Sequence, residues 1–274
     1  MNSALQYIYG PVSSWRLGVS LGIDLLSRTE KAEKICTFDC TYCQIGRAAA
    51  IAANRYIYIP TQKIVEELKK LPEVRIDYLT FSGRGEPSMA RNLGETIETV
   101  RTIMAKPVAV LTNATLLDRD DVIQELALAD VVVAKLDAWS QESLDLINNP
   151  VAGITFEGIY KGIKRFRQKY HGRLAIQMMF MQENKEAARK MADLAFEINP
   201  DEVQINTPLR TCEVSPLSQE EIFKIKGCFQ GLKTISAYDT EHTGDEPISI
   251  EDTARRRGGK FNKICKKKPK PELK

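Results

Sequence analysis

The stretch Lys34-Ile35-Cys36-Thr37-Phe38-Asp39-Cys40-Thr41-Tyr42-Cys43-Gln44-Ile45-Gly46 decides how the chain is read. Three cysteines fall within eight residues at a C-x3-C-x2-C spacing, and a loop this tight can aim three thiolates at one point. Thiolates are the usual protein ligands of iron–sulfur clusters. A four-iron cluster has four corners, so three local ligands leave one iron for a ligand from outside the protein. A structural zinc site instead expects a fourth Cys or His nearby, as a second C-x2-C or an H-x3-H pair. None is close, and the chain's two histidines are His171 and His242. The spacing favours an open cluster over zinc, or over thiols with no metal role.

The rest of the composition sets bounds. The 274 residues fit one large α/β domain, or one with a small appendage. Hydrophobic residues at 43% and charged residues at 27% are enough for a sizeable core. No apolar run approaches a membrane span, and Met1–Gln6 lacks the pattern of a signal peptide. A cytoplasmic location and no membrane partner are therefore expected. Six cysteines in a chain this long do not make a disulfide scaffold. The net charge of +3 is unevenly spread: residues 255–274 carry ten Lys/Arg and one Glu, a net +9, and the remainder holds 29 basic and 35 acidic residues, a net −6. Such a tail can touch phosphates, or simply solubilise a disordered end.

Periodicity predicts strands over 19–25, 76–83, 107–112, 131–137, 173–180, 202–206 and 233–238. Helices are expected over 61–71, 92–105, 118–128, 140–148, 156–170, 185–198 and from the Ser218-x-x-Glu221 capping box to about Gly231. Arg55–Pro60 reads as extended. Strands alternating with helices imply a parallel sheet with crossover helices, and the continuous apolar run Val131–Ala134 agrees. Six β/α units reach Gln204, with a further strand beyond. Periodicity does not separate an open sheet from a barrel.

Sites in such folds lie at the C-terminal ends of strands. Ser82-Gly83-Arg84-Gly85-Glu86-Pro87 offers two glycines that let the backbone approach a ligand, although any tight loop has this composition. Asn113 can bond a ligand or cap the next helix. Lys135 and Asp137 share a face and must pair with each other or with a ligand. Gln177 is a barrel-facing polar candidate beside core methionines. Asn206 and Arg210 can reach a ligand, or serve as turn and surface residues.

Cys36-x3-Cys40-x-Tyr42-Cys43 resembles the signature of the radical S-adenosylmethionine (radical SAM) superfamily. The resemblance implies an incomplete (β/α)6 TIM-like barrel over residues 1–240, with a short basic C-terminal extension over 241–274. It implies a [4Fe–4S] cluster held by Cys36, Cys40 and Cys43, whose free iron chelates S-adenosylmethionine. One-electron cleavage then gives a 5′-deoxyadenosyl radical that abstracts hydrogen from substrate, with a reductant such as flavodoxin or ferredoxin as partner. Gly83, Gly85 and Glu86 take the place of the superfamily's Gly-Gly-Glu-type motif, Tyr42 the position beside the adenine, and Asp137 a ribose or carboxylate contact. Asn113 and Asn206 complete the expected cofactor-binding set.

A closer resemblance runs over roughly residues 8–222. Tyr9-Gly10-Pro11-Val12-Ser13-Ser14, Cys43-Gln44-Ile45-Gly46-Arg47, Phe81-Ser82-Gly83-x-Gly85-Glu86-Pro87 and Gln204-Ile205-Asn206-Thr207-Pro208 are similar to radical SAM proteins grouped with the tRNA wyosine synthetases. Those synthetases carry a second cluster on cysteines upstream of the motif. No cysteine precedes Cys36 here, which counts against the pyruvate-condensing wyosine reaction. Cys212, Cys228 and Cys265 are widely spaced candidates for an auxiliary cluster. Residues 245–258 resemble the start of a small helical module. The expected substrate is an RNA base (a tRNA modification) or a protein side chain. A glycyl-radical-enzyme activase, and a non-enzymatic iron–sulfur or zinc binding protein, are the alternatives.

Overall fold

A computed structural model of the chain describes residues 5–26, 34–46, 54–210, 212–239 and 247–257. Eight strands form one sheet in sequence order: β1 (Ile8–Ser14), β2 (Gly18–Ile23), β3 (Tyr78–Phe81), β4 (Val108–Thr112), β5 (Val131–Lys135), β6 (Arg173–Met179), β7 (Glu202–Asn206) and β8 (Thr234–Ser236). β1 pairs antiparallel with β2, and every later pairing is parallel. Parallel neighbours need crossovers. These are α1 (Thr61–Leu68), α2 (Leu93–Ile103), α3 (Asp120–Leu126), α4 (Gln141–Asn148) with α5 (Phe156–Lys169), α6 (Ala188–Ile198) and α7 (Gln219–Gly227). The result is a curled half-barrel of six β/α units with β8 added at the end, as the family resemblance implies.

Two departures are local. Ile8–Ser14, ahead of the first strand expected at 19–25, is a strand itself; the register slips between Tyr9 and Val12, where Gly10-Pro11 interrupts the pairing. Arg55–Pro60 is extended but joins no strand, touching the fold by one bridge from Tyr56 to Ala90. Arg55 pins this segment: its buried guanidinium donates to the carbonyls of Ser88 (2.7 Å) and Ala90 (3.0 Å) and pairs with Asp121 and Glu125 on α3. Residues 48–53 lie outside the described residues, as does most of the basic tail.

The apolar strands bury both faces. Outward-pointing Leu21, Ile23, Leu79, Phe81, Val110, Val132, Ile176 and Ile205 meet the helices in one large core. The inward positions Ala109, Val131, Val133 and Ala175 form a separate small cluster, closed by Leu17 from the β1–β2 turn. Further toward the strand C-termini the inner face turns polar: Ser20 and Thr80 share a hydrogen bond of 2.5 Å, and Gln177, Gln204 and Asn206 are all buried there. The plug occupies the bottom of the half-barrel, so the polar upper half is the part left to receive a ligand.

Helix termini follow the sequence. Ser218 and Glu221 form the foreseen capping box on α7, and Ser140 forms one with Ser143 on α4. Less legible is Glu67 on α1. Its buried carboxylate accepts the backbone N–H groups of Gln6 (2.6 Å), Tyr7 (2.9 Å) and Ile8 (3.0 Å) and so nails the start of β1 to α1. Removing it leaves three N–H donors without that acceptor, at about 2–3 kcal/mol. Glu67→Ala is expected to lower the unfolding free energy by that amount, read as a lower urea midpoint at unchanged slope, whereas Glu66→Ala, which touches an exposed pair with Lys63, changes it by less than about 0.5 kcal/mol.

Candidate functional site

The cysteine loop lies across the ends of three successive strands and is held mainly by its own backbone. Ile35 N–H donates to Arg84 O (3.0 Å), and Glu86 N–H donates back to Ile35 O (2.9 Å). Val151 N–H donates to Thr37 O (3.0 Å), and Asp39 N–H donates to Asn148 O (3.0 Å) and Asn149 O (3.1 Å). Thr41 N–H donates to Ile147 O (3.0 Å). The side chain of Thr37 continues the docking by accepting from Asn113 Nδ2 (2.8 Å) and sharing a bond with Thr115 (2.8 Å). These anchors fall on alternate residues, and the intervening Cys36 and Cys40, with Cys43 beyond, line one cavity of about 330 Å3.

All three thiols are free, Cys36 and Cys40 buried and Cys43 half-buried. Burial pushes the Cys36 thiol up to about 12, helped by the nearby Cys40 and Glu86. Cys40 is also raised by burial, against the pull of Lys135 and of hydrogen bonds from Asn148 and Tyr42. Lys34 beside them is held above the ordinary lysine value: burial opposes its charge, and the closeness of Cys43, Cys36 and Cys40 outweighs it. The sulfurs already have donors. Phe38 N–H (3.5 Å) and Asn113 Nδ2 (3.7 Å) reach Cys36 Sγ, and Asn148 Nδ2 (3.3 Å) reaches Cys40 Sγ.

This donor set fits a cluster. A single zinc ion draws all its ligands to one point, with Zn–S of about 2.3 Å. Among the described residues no three His, Cys, Asp or Glu side chains gather in that way. Three thiols set around one cavity would suit a four-iron cluster that takes three ligands from the protein. N–H donors on the sulfurs and a cation beside them suit bound thiolates, whose charge they offset.

The Ser82–Pro87 turn closes against this loop. A Cβ on Gly85 would overlap the Ile35 carbonyl, and one on Gly83 would overlap the Asp24 carboxylate. The glycines therefore bring protein against protein, while both still line the cavity. Asp24 steadies the turn by accepting from Arg84 N–H (3.1 Å). Glu86 is turned inward, accepting from Ser88 N–H (3.0 Å), Ser88 Oγ (2.7 Å), Thr112 Oγ1 (2.7 Å) and Asn113 N–H (2.5 Å). Burial raises its carboxyl above the usual range, and those four bonds oppose the rise.

The other sequence candidates separate into two sets. Asn113, Tyr42 and Asn206 line the cavity together with the cysteines and the glycine turn. Asn206 Oδ1 accepts from Thr207 N–H (2.9 Å), while its Nδ2 has no hydrogen-bond partner among the described residues. Gln177 lines the same wall, and its side-chain amide is likewise unengaged there. Asp137 stands behind the wall. Its side chain is 1% exposed and accepts from Tyr42 OH, from Asn148 Nδ2 (3.1 Å) and from Met179 N–H (2.8 Å), with Lys135 Nζ at 3.4 Å. Lys135 also sits over the Tyr42 ring, 4.7 Å from its centroid. Of the pairings open to Lys135 and Asp137 in sequence, the one with each other is realised.

Cys212 is half-buried with its thiol on Val214 O (3.2 Å); burial raises it, and Cys43 adds to the rise. Cys228 ends α7, and Cys265 lies outside the described residues. Asn148, which sequence reasoning missed, closes α4 just before Asn149-Pro150; that context reads as a helix terminator and carries no signal of a sulfur contact.

The sequence profile of the radical SAM superfamily matches residues 34–195. The chain is 42% identical to the UPF0026 protein slr1464 of Synechocystis sp., over 91% of this chain and 88% of that one. It is 34% identical to the UPF0026 protein MJ1312 of Methanocaldococcus jannaschii, over 82% and 71%. Among solved structures it is similar to Streptococcus suis SuiB bound to S-adenosylmethionine, with a TM-score of 0.57 at 12% identity over 75% of this chain. At that identity the likeness concerns the fold, and the chain spans about half (48%) of that structure's length. From the cysteine loop through the half-barrel to these matches, the conclusion is one of family: the chain belongs to the radical SAM superfamily, among its UPF0026 proteins.

Proposed function

We propose that Cys36, Cys40 and Cys43 hold the superfamily's [4Fe–4S] cluster, and that the Gly83–Glu86 turn, Asn113 and Asn206 receive S-adenosylmethionine beside it. The observation that carries this reading is the shared cavity: three thiols with N–H donors on two of them, a glycine turn, and an unengaged amide from β7 face one space at the strand C-termini. In this superfamily the cluster and S-adenosylmethionine supply a carbon-centred radical that abstracts hydrogen. The chain's own residues do the holding. The docked loop presents the thiols, Lys34 offsets their charge, and the Glu86 network keeps the turn and Asn113 in place. Tyr42 forms part of the wall with its hydroxyl tied back to Asp137. Gln177 lies on the inner face and is the polar group we assign to substrate. The apolar plug beneath leaves entry from the strand C-termini. A one-electron reductant of the flavodoxin or ferredoxin kind is the partner this chemistry requires.

For the substrate we propose an RNA base. Its support is the charge of residues 255–274, ten Lys/Arg against one Glu, which suits a phosphate backbone.

Anaerobic reconstitution with iron and sulfide, reduction, and addition of S-adenosylmethionine is expected to yield 5′-deoxyadenosine. Cys36→Ala, Cys40→Ala and Cys43→Ala should each abolish it together with the cluster's visible absorbance. A loaded, reducible cluster that leaves S-adenosylmethionine intact would return the protein to the non-enzymatic reading. Deuterium from labelled RNA appearing in 5′-deoxyadenosine supports the substrate assignment; transfer from a protein side chain or a small metabolite replaces it. Gly85→Ala forces the turn off Ile35, so iron retention after desalting should fall severalfold even though all three cysteines remain.

A further inference from the structure

Resting on the cluster reading above, we infer that Asn148 is a positioning residue that sets the cluster's reduction potential through the Cys40 sulfur. The amide is fully enclosed, 1% exposed, and its nitrogen meets three acceptors: Cys40 Sγ at 3.3 Å, Tyr42 Oη at 3.2 Å and Asp137 Oδ2 at 3.1 Å. Two hydrogens serve these three. The Asp137 carboxylate, an anion that only accepts, fixes the first. The Tyr42 hydroxyl donates to Asp137 and offers its oxygen as an acceptor, so the second hydrogen is shared between Tyr42 and the sulfur.

The amide is thus aimed before any metal arrives. Asp137 is itself immobilised by Met179 N–H and by Lys135. The backbone of Asn148 cannot drift from Cys40 either, because its carbonyl takes the N–H of Asp39, the residue before that cysteine. One asparagine therefore holds the loop by its main chain and the sulfur by its side chain. A donor on a ligand sulfur stabilises the more negative, reduced cluster over the oxidised one and raises the potential. In a low-dielectric enclosure the effect is larger than at a surface. Asn113 reaches Cys36 at a longer 3.7 Å, so Asn148 makes the closer contact with a ligand sulfur.

The test is a redox titration of the reconstituted holoenzyme, followed by the electron paramagnetic resonance signal of the reduced cluster. Asn148→Leu keeps the volume and removes the donor. It should shift the oxidised-to-reduced ratio at fixed poise about tenfold toward oxidised, a fall of about 59 mV for a one-electron couple. Asn148→Asp, nearly isosteric, removes the donor and brings a carboxylate to the sulfur, so it should fall further; it also serves if the leucine variant does not fold. A residue that mattered only for packing would change iron content or melting temperature and leave the potential of the loaded fraction where it was. An unchanged potential in a variant that loads its cluster overturns the inference and leaves the cluster reading standing. A wild-type protein that assembles no cluster overturns both.

Discussion

The backbone of residues 35–41 belongs to no named strand or helix, yet Cys36 and Cys40 within it are buried, and buried backbone polar groups must find partners. Their partners are the loop after β3, which bonds both polar groups of Ile35, and the end of α4 with the segment after it, which takes the N–H groups of Asp39 and Thr41 and the carbonyl of Thr37, while the loop after β4 takes the Thr37 side chain. An extended stretch presents alternate residues to opposite sides. Anchoring the odd positions outward therefore leaves Cys36 and Cys40 facing the cavity. The position of the thiols follows from the hydrogen-bonding needs of the main chain between them, so the site inherits the rigidity of three strand ends without a helix or strand beneath it.

That dependence explains why carboxylates near the site serve the protein first. Glu86 spends both oxygens on four donors from the turn, Thr112 and Asn113; Asp137 spends its own on Tyr42, Asn148 and Met179; Asp24 holds Arg84 and Leu26 N–H groups. A buried anion without such donors would be costly, and with them it becomes a fixed node that several loops share. The residue type that a motif marks as a ligand contact can in this way be the scaffold that aims its neighbours. Asp137 is the clearest case: close enough to shape the site, and enclosed behind Tyr42.

What was legible in the sequence was whatever had a period or a spacing. The parallel strands and the main helices stand where apolar runs and 3.6-residue stripes place them, and the spacing of the three cysteines favours an open cluster, with the family resemblance supplying the chemistry. β1 was not legible because Gly10-Pro11 breaks the alternation at the point where the β1–β2 register also slips. Gln177 was visible by alternation, since its inward parity on β6 follows once the outward apolar positions are known. Asn148, Thr37 and Glu67 were not, because their partners lie 108, 78 and 59 to 61 residues away and no local pattern encodes such a bond. Contacts of that kind exist only once the crossovers have brought the strand ends side by side.

The same logic reaches the far end of the described chain. The helix α8 (Ile250–Arg257) returns to the free edge of β1, where Thr253 Oγ1 accepts from Gly10 N–H (3.2 Å) and Ile248 N–H donates to Gly10 O (2.7 Å). Gly10 thus directs both polar groups away from β2, at the point where the register slips. From that anchor Arg256 crosses the Tyr9 ring to Asp24 (3.4 Å), the carboxylate that also holds the turn at Arg84, and it lines the cavity as it does so. An irregularity in the first strand therefore creates the berth for a helix more than 230 residues later. That helix brings a positive charge to the acid that sets the glycine turn, so β1, α8 and the turn behave as one wall.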